Sequence, residues 1–298
     1  MDYYYSTSIV HNYSEAINYT SYVHVSTEDG PNLIKFAWYD VWQLGADPRT
    51  SRFPLMNGGP WTVLAILGLY LLFVRHYGPW LMKNRSPFDL RPLIFTYNAL
   101  MMTINSYFFV MAAMYTRFGY DSWGCTPVDP QLEGDFLWQL KLIWFYFISK
   151  FVDLCETIFF ILRKKNAQAS TLHVVHHTLV PLDVWFGLKY SATTSAAFFP
   201  FINSFVHTIM YCYYGLSTLG PQWRPYLWWK KYLTQLQILQ LALIAIHCLH
   251  LCLLPNCGIP KQIFAIYVPQ AILLVYLFVS FFINTYFSTA SSSKLKAS

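Results

Sequence analysis

Charge is scarce in this chain. Asp, Glu, Lys and Arg make up only 11% of its 298 residues, whereas a soluble domain carries about 25%. With hydrophobic residues at 55% and aromatics at 19%, that deficit excludes an ordinary soluble domain and points to a polytopic membrane protein. No Gly- or Ser-rich linker divides the chain and no internal repeat is visible, so one membrane domain with short polar tails is expected. The six cysteines form no metal-type pair: Cys125 and Cys257 fall in polar loops, and Cys155, Cys212, Cys248 and Cys252 in apolar stretches. The N-terminus lacks a basic region followed by an apolar run and a cleavage site, which excludes a cleaved signal peptide. In a soluble protein the net charge of +6 would suggest nucleic acid. Here the basic residues sit in short loops between apolar runs, the pattern of membrane orientation, and no nucleic-acid partner is expected.

What is present is a series of seven apolar segments, at roughly 58–75, 93–115, 137–162, 172–188, 197–216, 233–254 and 263–287, each near the length of about 20 residues that a spanning helix needs. The organisation read from this is a polar, tyrosine-rich N-terminal tail over 1–56, a seven-helix membrane domain over 57–288 and a short tail over 289–298. Within the first tail, Leu33 to Leu44 is amphipathic and suited to the membrane surface.

Three observations bear on orientation. With the N-terminus lumenal, the cytosolic side holds twelve basic residues: Arg75, Lys83, Arg85, Arg91, Arg163, Lys164, Lys165, Arg224, Lys230, Lys231, Lys294 and Lys296. The lumenal side holds six: Lys35, Arg49, Arg52, Arg117, Lys189 and Lys261. That asymmetry follows the positive-inside rule. The glycosylation sequons at Asn12 and Asn18 lie in the tail placed in the lumen. Cys125 and Cys257 then share an oxidising compartment, where either a disulfide or two free thiols fits. Seven spans leave the C-terminus cytosolic, and its ending Lys294-Leu295-Lys296-Ala297-Ser298 is of the dilysine retrieval type, a receptor-read address.

Ionisable residues inside a spanning helix cost about 2.5–3.5 kcal/mol each on insertion scales, and they survive when they face a bundle interior with partners. Here they are grouped. The third segment holds Lys150, Asp153, Glu156 and Thr157; the fourth opens with His173, His176 and His177, whose spacing puts three imidazoles on one side of a helix. The fifth carries Asn203, His207, Tyr211 and Tyr214 as one stripe, and the sixth Thr234, Gln237 and Gln240. At about 1.5 Å per residue, these groups fall within about 15 Å of the cytosolic ends of their helices. Four helices thus bring polar groups to one level, which points to a shared buried site. His247 and His250 lie nearer the lumenal end and read as packing residues.

These segments, in this order and at these spacings, resemble the very-long-chain fatty acid elongase family. The carrying motifs are Lys150-x-x-Asp153-x-x-Glu156-Thr157, His173-x-x-His176-His177, Asn203-x-x-x-His207-x-x-Met210-Tyr211-x-Tyr213-Tyr214 and Thr234-x-x-Gln237-x-x-Gln240. Two departures stand out. The carboxylates run Asp153 then Glu156 where Glu then Asp is commoner. Thr171 and Val175 replace aromatic residues at the histidine motif.

The resemblance implies an all-α membrane protein of seven transmembrane helices, the last six forming a barrel around an acyl tunnel, resident in the endoplasmic reticulum. It implies condensation of a long-chain acyl-CoA with malonyl-CoA to 3-oxoacyl-CoA, CoA and CO2, without a metal or other cofactor. By the same resemblance His176 is the nucleophile forming an acyl-imidazole, His207, His173 and His177 assist, and Asn203 and Tyr211 donate to oxyanions. Asp153, Glu156 and Lys150 set imidazole states; Gln237 and Gln240 hold substrate oxygens. Arg163, Lys164, Lys165, Lys230 and Lys231 are placed for CoA phosphates, although topology alone also explains their charge. Partners implied are membrane lipid, other enzymes of the elongation cycle and a second copy of the chain. Two other classes share features of the sequence. A di-iron desaturase or hydroxylase also uses an HxxHH box but needs about eight histidine ligands. A seven-helix receptor shares the span count but not the sunken Lys150–Asp153–Glu156 cluster.

Overall fold

The computed structural model describes residues 33–125, 133–191, 193–255, 257, 259 and 261–287, with the side chains of 33 and 133–136 excepted. The sequons at Asn12 and Asn18 and the ending with Lys294 and Lys296 lie outside the described residues. Among those described the chain is helical, with no strand. It divides into two compact units, one ending at Gly59 and one starting at Pro60.

The first unit holds a short helix at Leu33–Trp38 and 3-10 turns at Asp40–Gln43 and Thr50–Arg52. Its turns are held locally. Arg49 forks onto Asp47 at 2.6 and 2.9 Å, and the Tyr39 hydroxyl donates to Asn57 Oδ1 at 2.9 Å. The amphipathic reading of Leu33 to Leu44 matches a helix only as far as Trp38, beyond which the chain tightens into the 3-10 turn.

The second unit contains the long helices. α1 runs Trp61–Met82, with one π-helical turn at Phe73–Tyr77. α2 is Arg91–Tyr115, α3 Glu133–Val152, α4 Cys155–Leu162, α5 Thr171–Tyr190, α6 Phe198–Thr218, α7 Lys230–Leu253 and α8 Lys261–Tyr286. α1, α2, α7 and α8 are each long and apolar enough to cross a membrane, so the chain is a multi-pass membrane protein. α3, α5 and α6 are of spanning length but carry the polar motifs, which lowers their hydropathy.

The seven segments read from sequence correspond to these helices, with two differences. α1 extends to Met82, because Gly78 lets the chain continue against α4: a Cβ there would come within 2.9 Å of Phe73 O and 3.0 Å of Ile161 Cγ2. The third segment is two helices rather than one. At Asp153–Leu154 the backbone bonds tighten, Leu154 N–H to Phe151 O at 3.2 Å and Glu156 N–H to Asp153 O at 3.2 Å. That tightening re-aims the residues after the break.

α2 packs along α6, α6 on α7, α7 on α8, α8 on α5 and α5 on α3. α1 lies against α4 and α5. α6 shows most plainly why a helix sits where it does: Asn203, Val206, His207, Met210, Tyr211 and Tyr213 are buried, while Phe205 and Cys212 on the other side are exposed. Near one end, Cys125 and Cys257 are joined by a disulfide, their Cα atoms 5.1 Å apart. In the same region His247 Nε2 meets Ser122 O at 2.8 Å and His250 Nε2 meets Trp123 O at 3.0 Å. Both histidines thus anchor the 3-10 turn Tyr120–Trp123, a packing role.

Candidate active site

The site begins with a buried charge pair. Lys150 is on the last turn of α3 and Asp153 in the break that follows; Lys150 Nζ lies 3.0 Å from Asp153 Oδ2, with the side chains 2% and 4% exposed. A buried pair persists only when its remaining hydrogen-bonding capacity is met, and here α6 meets it. The Tyr211 hydroxyl donates to Asp153 Oδ1 at 2.8 Å, and Lys150 Nζ reaches Asn203 Oδ1 at 3.4 Å. Asn203 Oδ1 also accepts from the Tyr146 hydroxyl at 2.6 Å. The ammonium lies 4.5 Å from the centre of the Tyr146 ring, a cation–π contact.

The histidines are set by the start of α5. Ser170 caps the helix, its Oγ accepting from His173 N–H at 3.3 Å, so the three imidazoles fall within the first two turns. His173 and His177 rings stand 4.1 Å apart, centroid to centroid, and His176 and His177 5.4 Å. His173 Nε2 is 2.9 Å from Thr157 Oγ1, which is 2.8 Å from the Tyr70 hydroxyl on α1. His177 Nε2 faces Glu156 Oε2 at 3.8 Å. His176 is half-buried, with the Phe278 ring of α8 at 6.0 Å.

Lys150, Asp153, His176, His177 and His207 border one narrow cavity, closed on α5 by Val180 and Pro181. Its volume of about 10 Å³ is room for about one water. Pro181 has no N–H to return to His177 O, so α5 lacks one ladder bond beside this space. Two buried atoms of the cluster have no hydrogen-bond partner among the described residues: His207 Nδ1, on a residue that borders the cavity, and Glu156 Oε1, on one that does not. Buried polar atoms are normally paired, so His207 Nδ1 is free to engage a guest molecule in the cavity.

The other residues singled out in the sequence are placed less centrally. Gln237 donates to Met210 Sδ at 3.5 Å and Gln240 is buried; neither borders the cavity. Arg163 is half-buried, and Lys164, Lys165 and Lys230 are exposed. Lys164 Nζ reaches Lys83 O at 3.5 Å, while Lys231 lies over the rings of Phe282 and Phe287 at 5.8 and 5.1 Å. Three residues escaped the sequence reading. Tyr146 is one helical turn before Lys150, and that spacing was the available signal. Tyr70 stood in an apolar run with no motif near it. Asp183 lies beyond the histidine motif on α5, with Gln270 Nε2 at 2.5 Å.

Glu156, His173 and His177 are the group of metal-ligating type found among the described residues, their donor atoms within 4.8 Å of one another. His173 Nε2 is already engaged by Thr157. Of the described histidines, His76, His247 and His250 are outside the cluster, which leaves His173, His176, His177 and His207. That set is half of what a di-iron centre uses.

Comparison with known proteins agrees with the motif resemblance. The model of the ELO (GNS1/SUR4) family matches residues 55–294. Very long chain fatty acid elongase 7 of Rattus norvegicus is 40% identical over 253 residues, 84% of this chain and 89% of the relative. Very long chain fatty acid elongase 4 of Homo sapiens is 40% identical over 262 residues, 88% of this chain and 82% of the relative. Very long chain fatty acid elongase 1 of Homo sapiens is 39% identical over 216 residues, 72% and 76%. With its charge pair, histidine cluster and amide stripe inside the matched region, the chain belongs to the ELO (GNS1/SUR4) family.

Proposed function

We propose that this protein is a very long chain fatty acid elongase, a 3-oxoacyl-CoA synthase that condenses a long-chain acyl-CoA with malonyl-CoA. The observation carrying this reading is the convergence of Lys150, Asp153, His176, His177 and His207 on one cavity in a member of the ELO family. In the first half-reaction His176 attacks the thioester carbonyl. A C–N bond forms, the C–S bond breaks, and CoA leaves as its thiol, taking a proton from the site. Splitting the condensation in this way replaces one difficult step by two easier ones. In the second, malonyl-CoA loses CO2, and the enolate carbon attacks the acyl-imidazole. A C–C bond forms as the C–N bond to His176 breaks, and a proton taken up from water replaces the one given to CoA, so neutral His176 is released with the 3-oxoacyl-CoA. No redox partner is needed.

The neighbours suit these steps. His207, with Nδ1 free, is placed to bond the thioester or enolate oxygen, and Asn203 and Tyr211 preorganise the same region. Lys150 and Asp153 supply fixed charge beside it, Glu156 faces His177, and Thr157 fixes the orientation of His173. Gln237 and Gln240 lie deeper along α7 as amide groups for substrate oxygens. Arg163, Lys164, Lys165, Lys230 and Lys231 form the basic approach for CoA phosphates.

The packing order supports a six-helix barrel. α2, α6, α7, α8, α5 and α3 follow one another as neighbours. α3 and α4 return to α2 through the Phe108–Tyr146 ring contact at 5.6 Å, the Tyr97 hydroxyl on Val152 O at 3.2 Å and the Tyr97–Phe159 contact at 5.3 Å. α1 stands outside this ring. An acyl chain running through its centre would gain about 0.8 kcal/mol per buried CH2. An apolar cavity of about 40 Å³ between α2, α3 and α6, bordered by Phe108, Ala112, Leu140 and Tyr146, lies along such a path. The reading places the seven spans in the endoplasmic-reticulum membrane, N-terminus lumenal and C-terminus cytosolic, in keeping with the basic-residue asymmetry. The Cys125–Cys257 bond then lies on the lumenal side.

The test is purified protein with labelled malonyl-CoA and acyl-CoAs of graded length, reading 3-oxoacyl product. His176→Ala is expected to insert normally and form no product. Normal turnover by that variant would overturn the nucleophile assignment, and no product from the unaltered protein with any acyl-CoA would overturn the function.

A further inference from the structure

We infer that Asp183 and Gln270 form a polar station inside the acyl channel, one that favours chains bearing a hydroxyl near carbon 9. The inference rests on the elongase reading and goes beyond it, to the kind of chain accepted.

An ionisable residue within a membrane-spanning helix is costly and marks a functional position unless its surroundings explain it. Asp183 sits in the lumenal half of α5 and is tied on one side to α8. Gln270 Nε2 donates to its Oδ2 at 2.5 Å, and the Tyr267 hydroxyl donates to its backbone carbonyl at 2.8 Å. Gly187 makes that second contact possible: a Cβ there would already be 3.2 Å from the Tyr267 hydroxyl oxygen.

The direction of the carboxyl follows from its neighbours. α8 packs between α5 and α7. Asp183 is bonded to α8 through Gln270, and its spacing of seven residues puts it on the face of α5 that carries His176, which borders the active-site cavity. A side chain on that face of α5, bonded to α8, is directed to the inner face of the ring. Asp183 is half-buried.

Depth is set by helical geometry. Asp183 is seven residues past His176, two turns on, hence on the same face and about 10 Å further along. α8 repeats the register in reverse: Phe278 faces His176, and Gln270, eight residues earlier, faces Asp183. An extended alkyl chain advances about 1.25 Å per carbon, so an acyl group on His176 brings roughly carbon 9 level with Asp183. A plain methylene passes the station without disturbing the Gln270 bond. A hydroxyl there can donate to the carboxyl, exchanging its water partner for a protein one.

The experiment compares octadecanoyl-CoA with its 5-, 9- and 13-hydroxy derivatives, using the unaltered protein, Asp183→Asn, Asp183→Leu and Gln270→Met. The unaltered protein is expected to favour the 9-hydroxy chain over the 5- and 13-hydroxy chains by about tenfold in kcat/KM, the worth of one net hydrogen bond. Asp183→Leu removes that positional preference while octadecanoyl-CoA is still elongated, and Gln270→Met weakens it. Equal use of the three hydroxy chains by the unaltered protein overturns the inference, whatever the variants do. So does an unchanged preference in Asp183→Leu, or in Asp183→Asn and Gln270→Met together should the leucine variant not accumulate. Elongation of no acyl-CoA at all overturns the elongase reading instead.

Discussion

The Lys150–Asp153 pair gives the sharpest energetic test of the site. Both side chains are almost fully buried, 3.0 Å apart. Lys150→Met keeps the volume but leaves Asp153 with the Tyr211 hydroxyl as its side-chain partner. Asp153→Asn still accepts from Tyr211 but leaves the ammonium facing Asn203 and the Tyr146 ring. Removing one partner of a buried pair costs about 3–5 kcal/mol, because the other charge stays buried without compensation. For a domain of this size that lowers the melting temperature by about 6–20 °C. The double variant has no charge to strand. Tyr211 keeps an acceptor and Asn203 keeps Tyr146, so its stability should return to within about 1–2 kcal/mol of the unaltered protein, since replacing both partners is close to neutral. The assay is a double-mutant cycle of thermal unfolding in detergent, read as the monodisperse fraction after heating. The expected coupling is several kcal/mol, with condensation lost in all three variants. If the losses of the single variants simply add in the double, the pair is not interacting as described.

Two further expectations follow. Cys125→Ser, or reduction of the intact protein, opens a bridge between residues 132 apart in sequence and should cost about 2–5 kcal/mol of stability, seen as a lower melting temperature and a changed mobility on non-reducing gels. At the turn after α2, Arg117 hydrogen-bonds Asp121 and holds its carboxyl below the usual carboxylate range. Its folded value is therefore lower than its unfolded one, so its stabilisation is present above the unfolded value and is lost as pH falls through the folded one. The melting-temperature difference between the unaltered protein and Asp121→Asn should shrink steadily on acidification, and a difference that grew would refute the assignment.

How much was legible in advance depended on whether a relation lay within one helix or between helices. The i, i+3, i+4 spacing of His173, His176 and His177 fixes a common face as soon as the segment is helical, and α5 has that face. The stripe Asn203, His207, Tyr211 reads the same way, and α6 buries it. Partners across helices were not legible. Nothing in a spacing says that Tyr211 meets Asp153 rather than Glu156, or that Tyr70 from α1 reaches Thr157. The break at Asp153 was hidden for a different reason. No proline or glycine marks it, and the apolar run continues through it; an unbroken helix would put Lys150, Asp153 and Thr157 on one face. The tightened turn instead leaves Lys150 and Asp153 with α6 and sends Thr157 to His173.

The same distinction explains why α3, α5 and α6 are less apolar than the helices clearly suited to a bilayer. Those three carry Lys150, the imidazoles of His173, His176 and His177, Asp183, Lys189 and the amide and hydroxyl groups of the α6 stripe. A helix can hold such a load in a membrane only if its polar face is turned from lipid and satisfied by its neighbours. Most of the load is satisfied here: Asp153 by Lys150 and Tyr211, Asn203 by Tyr146, Thr157 by Tyr70 and His173, and Asp183 by Gln270. Among the groups left without partners, His207 Nδ1 lies where the proposed chemistry needs a donor or acceptor in reserve. Low hydropathy in these helices is thus not evidence against a membrane location. It is the cost of a buried polar cluster enclosed by apolar helices, and α1, α2, α7 and α8 supply the lipid-compatible surface.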